Sequence, residues 1–264
     1  MTTVEIESAD TRRQPGSKGV NYAWAPCGIE FRYAPNRSAG LERGSLCAKE
    51  ECMENTAQSL QSAASTFGQY RHICAFFNSF DEQHRVLRPF IKEGFDRGDK
   101  TFHLVDPDRR EEHLWRLAEA GINVQEAMGI GQLEVWPWQD GPLRGGHFDQ
   151  DTWLVSFEQV LQSGPAAGYA QTRFLSHMEW ALVDLPGVED LIEFETRVNY
   201  VVPKHDYPVI CAYDLTKFGA SVVMDALRTH PLVIIGGLLQ ENPFFVPPDQ
   251  LLLEIRERRK LART

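Results

Sequence analysis

From His72 onward, apolar positions along the chain follow two alternating rhythms. Short runs rich in strand formers fall at residues 72–77, 101–105, 132–136, 172–176 and 207–213, with another apolar run inside 230–237. Each is too brief for a helix and is bounded by polar or glycine-containing turns. Between them, apolar residues recur at three- and four-residue spacing, as in Val86, Leu87, Phe90, Ile91 and Phe95, or Leu114, Trp115, Leu117 and Ala118. This spacing predicts helices over 81–97, from Asp106-Pro107 to Gly121, from Asp149 or Asp151 to Gly164-Pro165, over 188–202 and 218–228, and from Pro248 to the end. Pro89 predicts a kink in the first helix. Residues 124–128 read as a turn, and 241–245 as a hairpin partner or edge segment. Strand alternating with helix predicts an α/β fold with a mostly parallel central sheet and helices on both faces.

The stretch before His72 lacks this rhythm. Residues 1–20 are polar without a hydrophobic period and are expected to be disordered. A strand-like piece at 28–33 and a helix at 54–67 are expected before the domain. The predicted organisation is an N-terminal extension at 1–68, partly disordered, an α/β domain at 69–248 and a C-terminal helix at 249–264. No internal repeat is visible.

The first strand-to-helix turn narrows the function. Ser79 is placed to cap the helix, with Asp81 and Glu82 in its first turn. Nucleotide-binding α/β proteins carry a glycine-rich phosphate loop at this position. Here the turn reads Asn78-Ser79-Phe80-Asp81-Glu82-Gln83, with no glycine and no lysine. The sequence predicts the fold without the phosphate chemistry.

The 264 residues carry a formal net charge of -10, which argues against direct nucleic-acid binding. The basic run at 256–260 is interleaved with Glu254 and Glu257, the pattern of a solvated helix end. Five cysteines fit a reducing compartment. Cys74 and Cys211, in strand-like runs, read as buried small hydrophobes. Cys27, Cys47 and Cys52 lack an evident fourth ligand and read as incidental or redox-reactive thiols. No stretch reaches the roughly 20 apolar residues that span a bilayer, and the N-terminus has no signal-peptide pattern, so a cytoplasmic, non-membrane protein is expected.

Ligands of open α/β sheets lie beyond the carboxyl ends of the strands. Those ends nominate Phe77, Asn78, Asp106, Trp136, His177, Glu179, Trp180, Tyr213 and Asp214 as ligand-binding residues, with Trp138 beside them. This aromatic and acidic set suits a small organic ligand better than a polyphosphate. The long loop 137–148 is a candidate lid or pocket wall. Plainer roles compete: Asp106 and Asp214 as helix caps, the tryptophans as core anchors, His72 as a structural residue tied to a backbone group, and His230-Pro231 as a helix-to-strand boundary. Glu179 follows an apolar strand and must find a partner or face a cavity. No nucleophile elbow, zinc pair or dinucleotide fingerprint occurs. His103, His113, His147 and His177 are scattered without ligand spacing. No catalytic residue and no metal site is assigned, and the cofactor is left unknown.

The segments His72-Ile73-Cys74-Ala75-Phe76, Gly121-Ile122-Asn123-Val124, Gly131-Gln132-Leu133-Glu134-Val135, Met178-Glu179-Trp180-Ala181-Leu182, Leu185-Pro186-Gly187-Val188-Glu189, Cys211-Ala212-Tyr213-Asp214, Arg228-Thr229-His230-Pro231 and Glu241-Asn242-Pro243-Phe244 resemble, in order, the methanogen/methylotroph sensory (MEDS) family, which also occurs in a dichloromethane-responsive repressor. The resemblance spans roughly residues 69–248. It implies a RecA/KaiC-like α/β sensory domain without a phosphate loop, which senses small hydrocarbon or one-carbon derivatives beside a DNA-binding or histidine-kinase module. Neither module is recognisable here, and the leader with Cys27, Cys47 and Cys52 lies outside the family domain. The expected function is a non-catalytic sensory module. It would signal through a regulatory partner (a histidine kinase, a transcription factor or a sigma-factor pathway) in transcriptional or two-component control. Homo-oligomerisation stays open. Two alternatives remain: a nucleotide-dependent phosphotransferase or ATPase of RecA-like descent with Glu179 as its carboxylate, and an interaction scaffold or transcription-factor antagonist.

Overall fold

The computed structural model describes residues 71–262. Its apolar runs pair into a seven-stranded sheet of order β3-β2-β4-β5-β1-β6-β7. The strands are β1 (His72–Phe77), β2 (Lys100–Val105), β3 (Leu133–Pro137), β4 (Thr172–His177), β5 (Val209–Asp214), β6 (Leu232–Ile235) and β7 (Leu238–Glu241). All neighbouring pairs are parallel except β6 with β7. The two central strands align Cys74 with Cys211 and Phe77 with Asp214.

Because side chains alternate across a strand, the central strands feed two separate cores. Cys74, Phe76, Phe102, Phe174, Cys211 and Tyr213 face α4 (Gln150–Ala166), α5 (Leu191–Val198) and α7 (Ala220–Thr229). Ile73, Ala75, Phe77, Leu175, Ile210 and Ala212 face α1 (Phe80–Asp96), α2 (Arg110–Glu119) and α3 (Val124–Gly129). Both faces of the sheet are therefore buried, which is why its strands read as unbroken apolar runs. A short turn of helix, α6 (Val202–His205), precedes β5, and α8 (Pro248–Ala262) closes the described chain. Leu251 and Ile255 of α8 are buried. Its basic end is ion-paired, Arg259 reaching Asp190 and Glu193 at 2.5 Å each and Arg258 reaching Asp225 at 3.1 Å.

Several elements differ from the sequence reading. Residues 124–129 form helix α3 rather than a turn, capped by Asn123 Oδ1 accepting from the Glu126 N–H at 3.3 Å. The helix predicted over 188–202 is divided into a 3-10 turn (Val188–Asp190), α5 and α6. Pro203 has no N–H to donate, so the first helix cannot run on through it. The hairpin partner of β6 is β7, ahead of the predicted 241–245. Gly236 (φ 59°) and Gly237 (φ 80°) supply the two positive dihedrals of a two-residue hairpin turn, so the chain reverses at once. α1 continues through Pro89; the residue one turn earlier, Arg85, lies on the exposed side.

The strand-like piece at 28–33, the helix expected at 54–67, and Cys27, Cys47 and Cys52 lie outside the described residues. Among the described residues, no helix is long and apolar enough to cross a membrane.

Candidate functional site

The turn between β1 and α1 holds an anion of its own. Ser79 Oγ accepts from the Glu82 N–H at 3.1 Å, and Glu82 reaches back so that Oε2 accepts from the Asn78 N–H at 2.8 Å and from Asn78 Nδ2 at 3.2 Å. This is a capping box in function: a carboxylate sits near the helix N-terminus, where the helix dipole favours negative charge.

The residues nominated from strand ends separate into groups. Glu179, in the 3-10 turn after β4 (Met178–Leu182), is buried; its Oε1 lies 3.5 Å from Lys217 Nζ and its Oε2 has no partner. Lys217 also lies 4.0 Å from Asp214. Burial raises the Glu179 carboxyl above its usual range, against its own backbone N–H and Lys217, which lower it. Asp214 also accepts from the Thr216 N–H and Oγ1, and Asp106 caps the 3-10 turn Pro107–Arg109 through the Asp108 N–H. Tyr213 is buried with its hydroxyl unpaired, between Phe76 and Phe218. Trp180 packs in the core against Phe148, and half-buried Trp136 packs against Phe102. Phe77 is core; Asn78 is exposed.

His177 belongs to a constellation that spacing did not reveal. It meets Gln83 of α1, Nε2 to Nε2 at 2.7 Å. His103 Nδ1 of β2 lies 2.7 Å from His113 Nε2 of α2. The His113 ring is 5.2 Å from that of His177 and 5.1 Å from that of His84 on α1. All four imidazoles are buried. Burial lowers His84 to about 4 and His103 to about 3, and drives His113 and His177 well below the ordinary imidazole value, so all four are neutral at pH 7. His147 stands apart, on the exposed loop. Nδ1 of His113 and Nε2 of both His84 and His103 have no partner.

On the opposite sheet face, His72 of β1, Glu195 of α5, Cys211 of β5 and His230 bring four donor atoms within 4.8 Å of one another, all buried. His72 Nε2 and His230 Nε2 lie 3.2 and 3.1 Å from Glu195 Oε2. Cys211 Sγ is 3.6 Å from His72 Nε2 and from Glu195 Oε2. His72 is thus tied to side chains rather than to a backbone group.

A surface cleft of about 500 Å³ opens beyond the carboxyl ends of β2 and β3. Asp106 and Asp108 stand on one side, Trp138, Gln139, Leu143, Gly145 and Gly146 of the loop 137–148 on another, and Val183 and Leu185 on a third. The loop is anchored at its far end by the Phe148 N–H, which donates to the Pro186 carbonyl at 2.8 Å.

The model of a sensory-domain family, the methanogen/methylotroph DcmR sensory domain (MEDS), matches residues 71–231. The chain belongs to the MEDS family. Its sequence is also similar to the transcriptional repressor DcmR of Methylorubrum extorquens (strain DSM 6343 / CIP 106787 / DM4), 26% identical over 222 residues that cover 78% of this chain and 79% of that protein. The MEDS match contains both histidine constellations, the Glu179–Lys217–Asp214 group and the whole cleft wall.

Sequence reasoning nominated His177 but missed Gln83, His84, His103 and His113 as its neighbours; it read Cys211 as a small hydrophobe and His230 as an element boundary, and gave Glu195 no site role. One signal was available: a histidine within a fully apolar strand, as at His72 and His103, needs a buried partner. The partners themselves come from other elements and are fixed only by topology.

Proposed function

We propose that this MEDS domain is a non-catalytic sensor that holds a small organic molecule, of the hydrocarbon-derived or one-carbon class, in the cleft beyond β2 and β3. On this reading it reports occupancy to a protein partner in transcriptional control. The cleft carries the proposal. Its volume lies in the range of small-molecule sites, and its apolar walls (Trp138, Leu143, Val183, Leu185) face two carboxylates that can orient a polar group. One wall is the loop 137–148, which offers a means of coupling occupancy to the surface. Membership of a sensory family and likeness to a transcriptional repressor support the regulatory half of the reading. The anion already seated in the β1–α1 turn favours this over a nucleotide-dependent enzyme.

Thermal unfolding against a panel of short alcohols, aldehydes and halogenated hydrocarbons tests it. A ligand at a hundredfold its Kd stabilises by about 2.7 kcal/mol, on the order of 5–10 °C in Tm for a domain of this size. Val183→Trp, which fills the cleft, is expected to abolish the rise while leaving the unliganded Tm within a few degrees. A rise that survives Val183→Trp moves the ligand elsewhere; no rise with any compound refutes the assignment of ligand class.

A further inference from the structure

We propose that His72, Glu195, Cys211 and His230 form a binding site for a divalent transition metal of the Zn²⁺ class. The first argument is geometric. Zinc bonds of about 2.0–2.1 Å to nitrogen and oxygen and about 2.3 Å to sulfur, at tetrahedral angles, place nitrogen and oxygen donors about 3.3 Å apart and sulfur about 3.6 Å from each. Four of the six separations are 3.2 and 3.1 Å between the two imidazoles and Glu195, and 3.6 Å from Cys211 to His72 and to Glu195, and the other two, from His230 to His72 and to Cys211, are within 4.8 Å. A set of two imidazoles, a carboxylate and a thiolate suits zinc better than magnesium or calcium.

The second nitrogen of each imidazole is held by a hydrogen bond. His230 Nδ1 lies 2.8 Å from the Ala226 carbonyl, which only accepts, so Nδ1 carries a proton and Nε2 is the nitrogen turned to Glu195. Thr229 Oγ1 donates to that same carbonyl at 2.8 Å and faces His230 Nδ1 at 2.7 Å as a second acceptor. Asn199 fixes His72 in the same way. Its Nδ2 points at the carbonyls of Glu195, Thr196 and Thr229, so its Oδ1 is the group 3.2 Å from His72 Nδ1 and accepts the proton there. Both imidazoles therefore turn Nε2 toward the Glu195 carboxylate. His230 Nε2 makes no hydrogen bond although Oε2 is 3.1 Å away. A buried carboxylate between two imidazoles needs positive charge beside it, and a metal ion bound by all three would supply it. Ligating histidines whose second nitrogen donates to a carbonyl or amide are the usual second shell of a metal site.

The adjoining cavity, lined in part by Ser176, Met178 and Trp180, measures about 10 Å³. It has room for one water at most and none for an organic ligand. Four protein donors and no open position describe a closed, structural site. The metal would pin α5 to β1, β5 and the α7–β6 junction.

The test uses the full chain, purified without a histidine tag, with Zn²⁺ and Co²⁺ as probes. Cys27, Cys47 and Cys52 are changed together to Ser in a control variant, since thiols there could bind metal. About one zinc per chain is expected in the wild type and in that control. Co²⁺ should give the thiolate-to-metal charge-transfer band of a four-coordinate site in both, and Cys211→Ser should remove it. Asn199→Leu should weaken zinc binding about 10–100-fold. Should Cys211→Ser fail to fold, X-ray absorption of the zinc-loaded control decides, the expected shell being two imidazole nitrogens, one oxygen and one sulfur. A metal-free chain that gives no Co²⁺ band, a band lost in the triple control but kept in Cys211→Ser, or a different shell overturns the proposal.

Discussion

Gly187 shows how one residue sets the cleft. Its φ is 88°, and a Cβ there would stand 1.9 Å from the Phe148 carbonyl oxygen, a backbone atom that no rotamer change can move. The same contact zone holds the Phe148 N–H to Pro186 hydrogen bond that ends the loop 137–148. Gly187→Ala is therefore expected to cost about 2–4 kcal/mol, with a matching fall in Tm by calorimetry. On the assignment of the cleft proposed above, it should also weaken the thermal response to ligand, because the loop that walls the cleft is anchored at Phe148. At this scale much was legible: the caps at Ser79 and Asp106 follow from residue type and position, since a cap is a local hydrogen bond, and of the two candidates Asp149 and Asp151 it is Asp149 that caps its helix. Which capping carboxylates also lie near a cleft was not legible, because that depends on chain segments far away.

Among elements, the packing of α1 and α2 on β2 and β4 is held by four neutral imidazoles, and pH acts on it with a definite sign. Burial depresses the folded-state values of His84, His103, His113 and His177, while in the unfolded chain they take protons near pH 6.5. The unfolded state binds more protons below that pH, so this contribution is complete above about 6.5 and is lost as the pH falls toward 4. Each ring that stays neutral in the fold while the unfolded chain takes a proton lowers stability, and the four losses act in the same direction. Denaturant unfolding between pH 7.5 and 5 is expected to show a steep loss of stability, and His113→Gln should flatten that slope. A flat profile in the wild type would mean the four rings are hydrated. The element order was readable because strand and helix periods differ, and the hairpin was misplaced by a few residues because its register depends on two glycine dihedrals. The imidazole constellation was invisible: His103 and His177 come together only because β2 and β4 are neighbours in a sheet whose order departs from chain order.

Over the whole molecule, the sheet separates two polar constellations onto opposite faces, so each can be disturbed without the other. At the basic end of α8, Arg258 and Arg259 are paired with Asp225, Asp190 and Glu193. The α/β class was legible from sequence because both faces of a parallel sheet must be covered, whereas the clusters within each face were not, since partners such as His72 and His230 lie far apart in the chain. The Glu82 carboxylate at the β1–α1 turn has a consequence at this scale. A turn that supplies its own counter-charge leaves a phosphate-bearing metabolite little to bind, and the domain is expected to be indifferent to the cell's energy charge. Millimolar ATP should leave both its Tm and its ligand response unchanged, and a Tm that rises with ATP would contradict this. Such a sensor would report the presence of its ligand whether the cell is starved or replete.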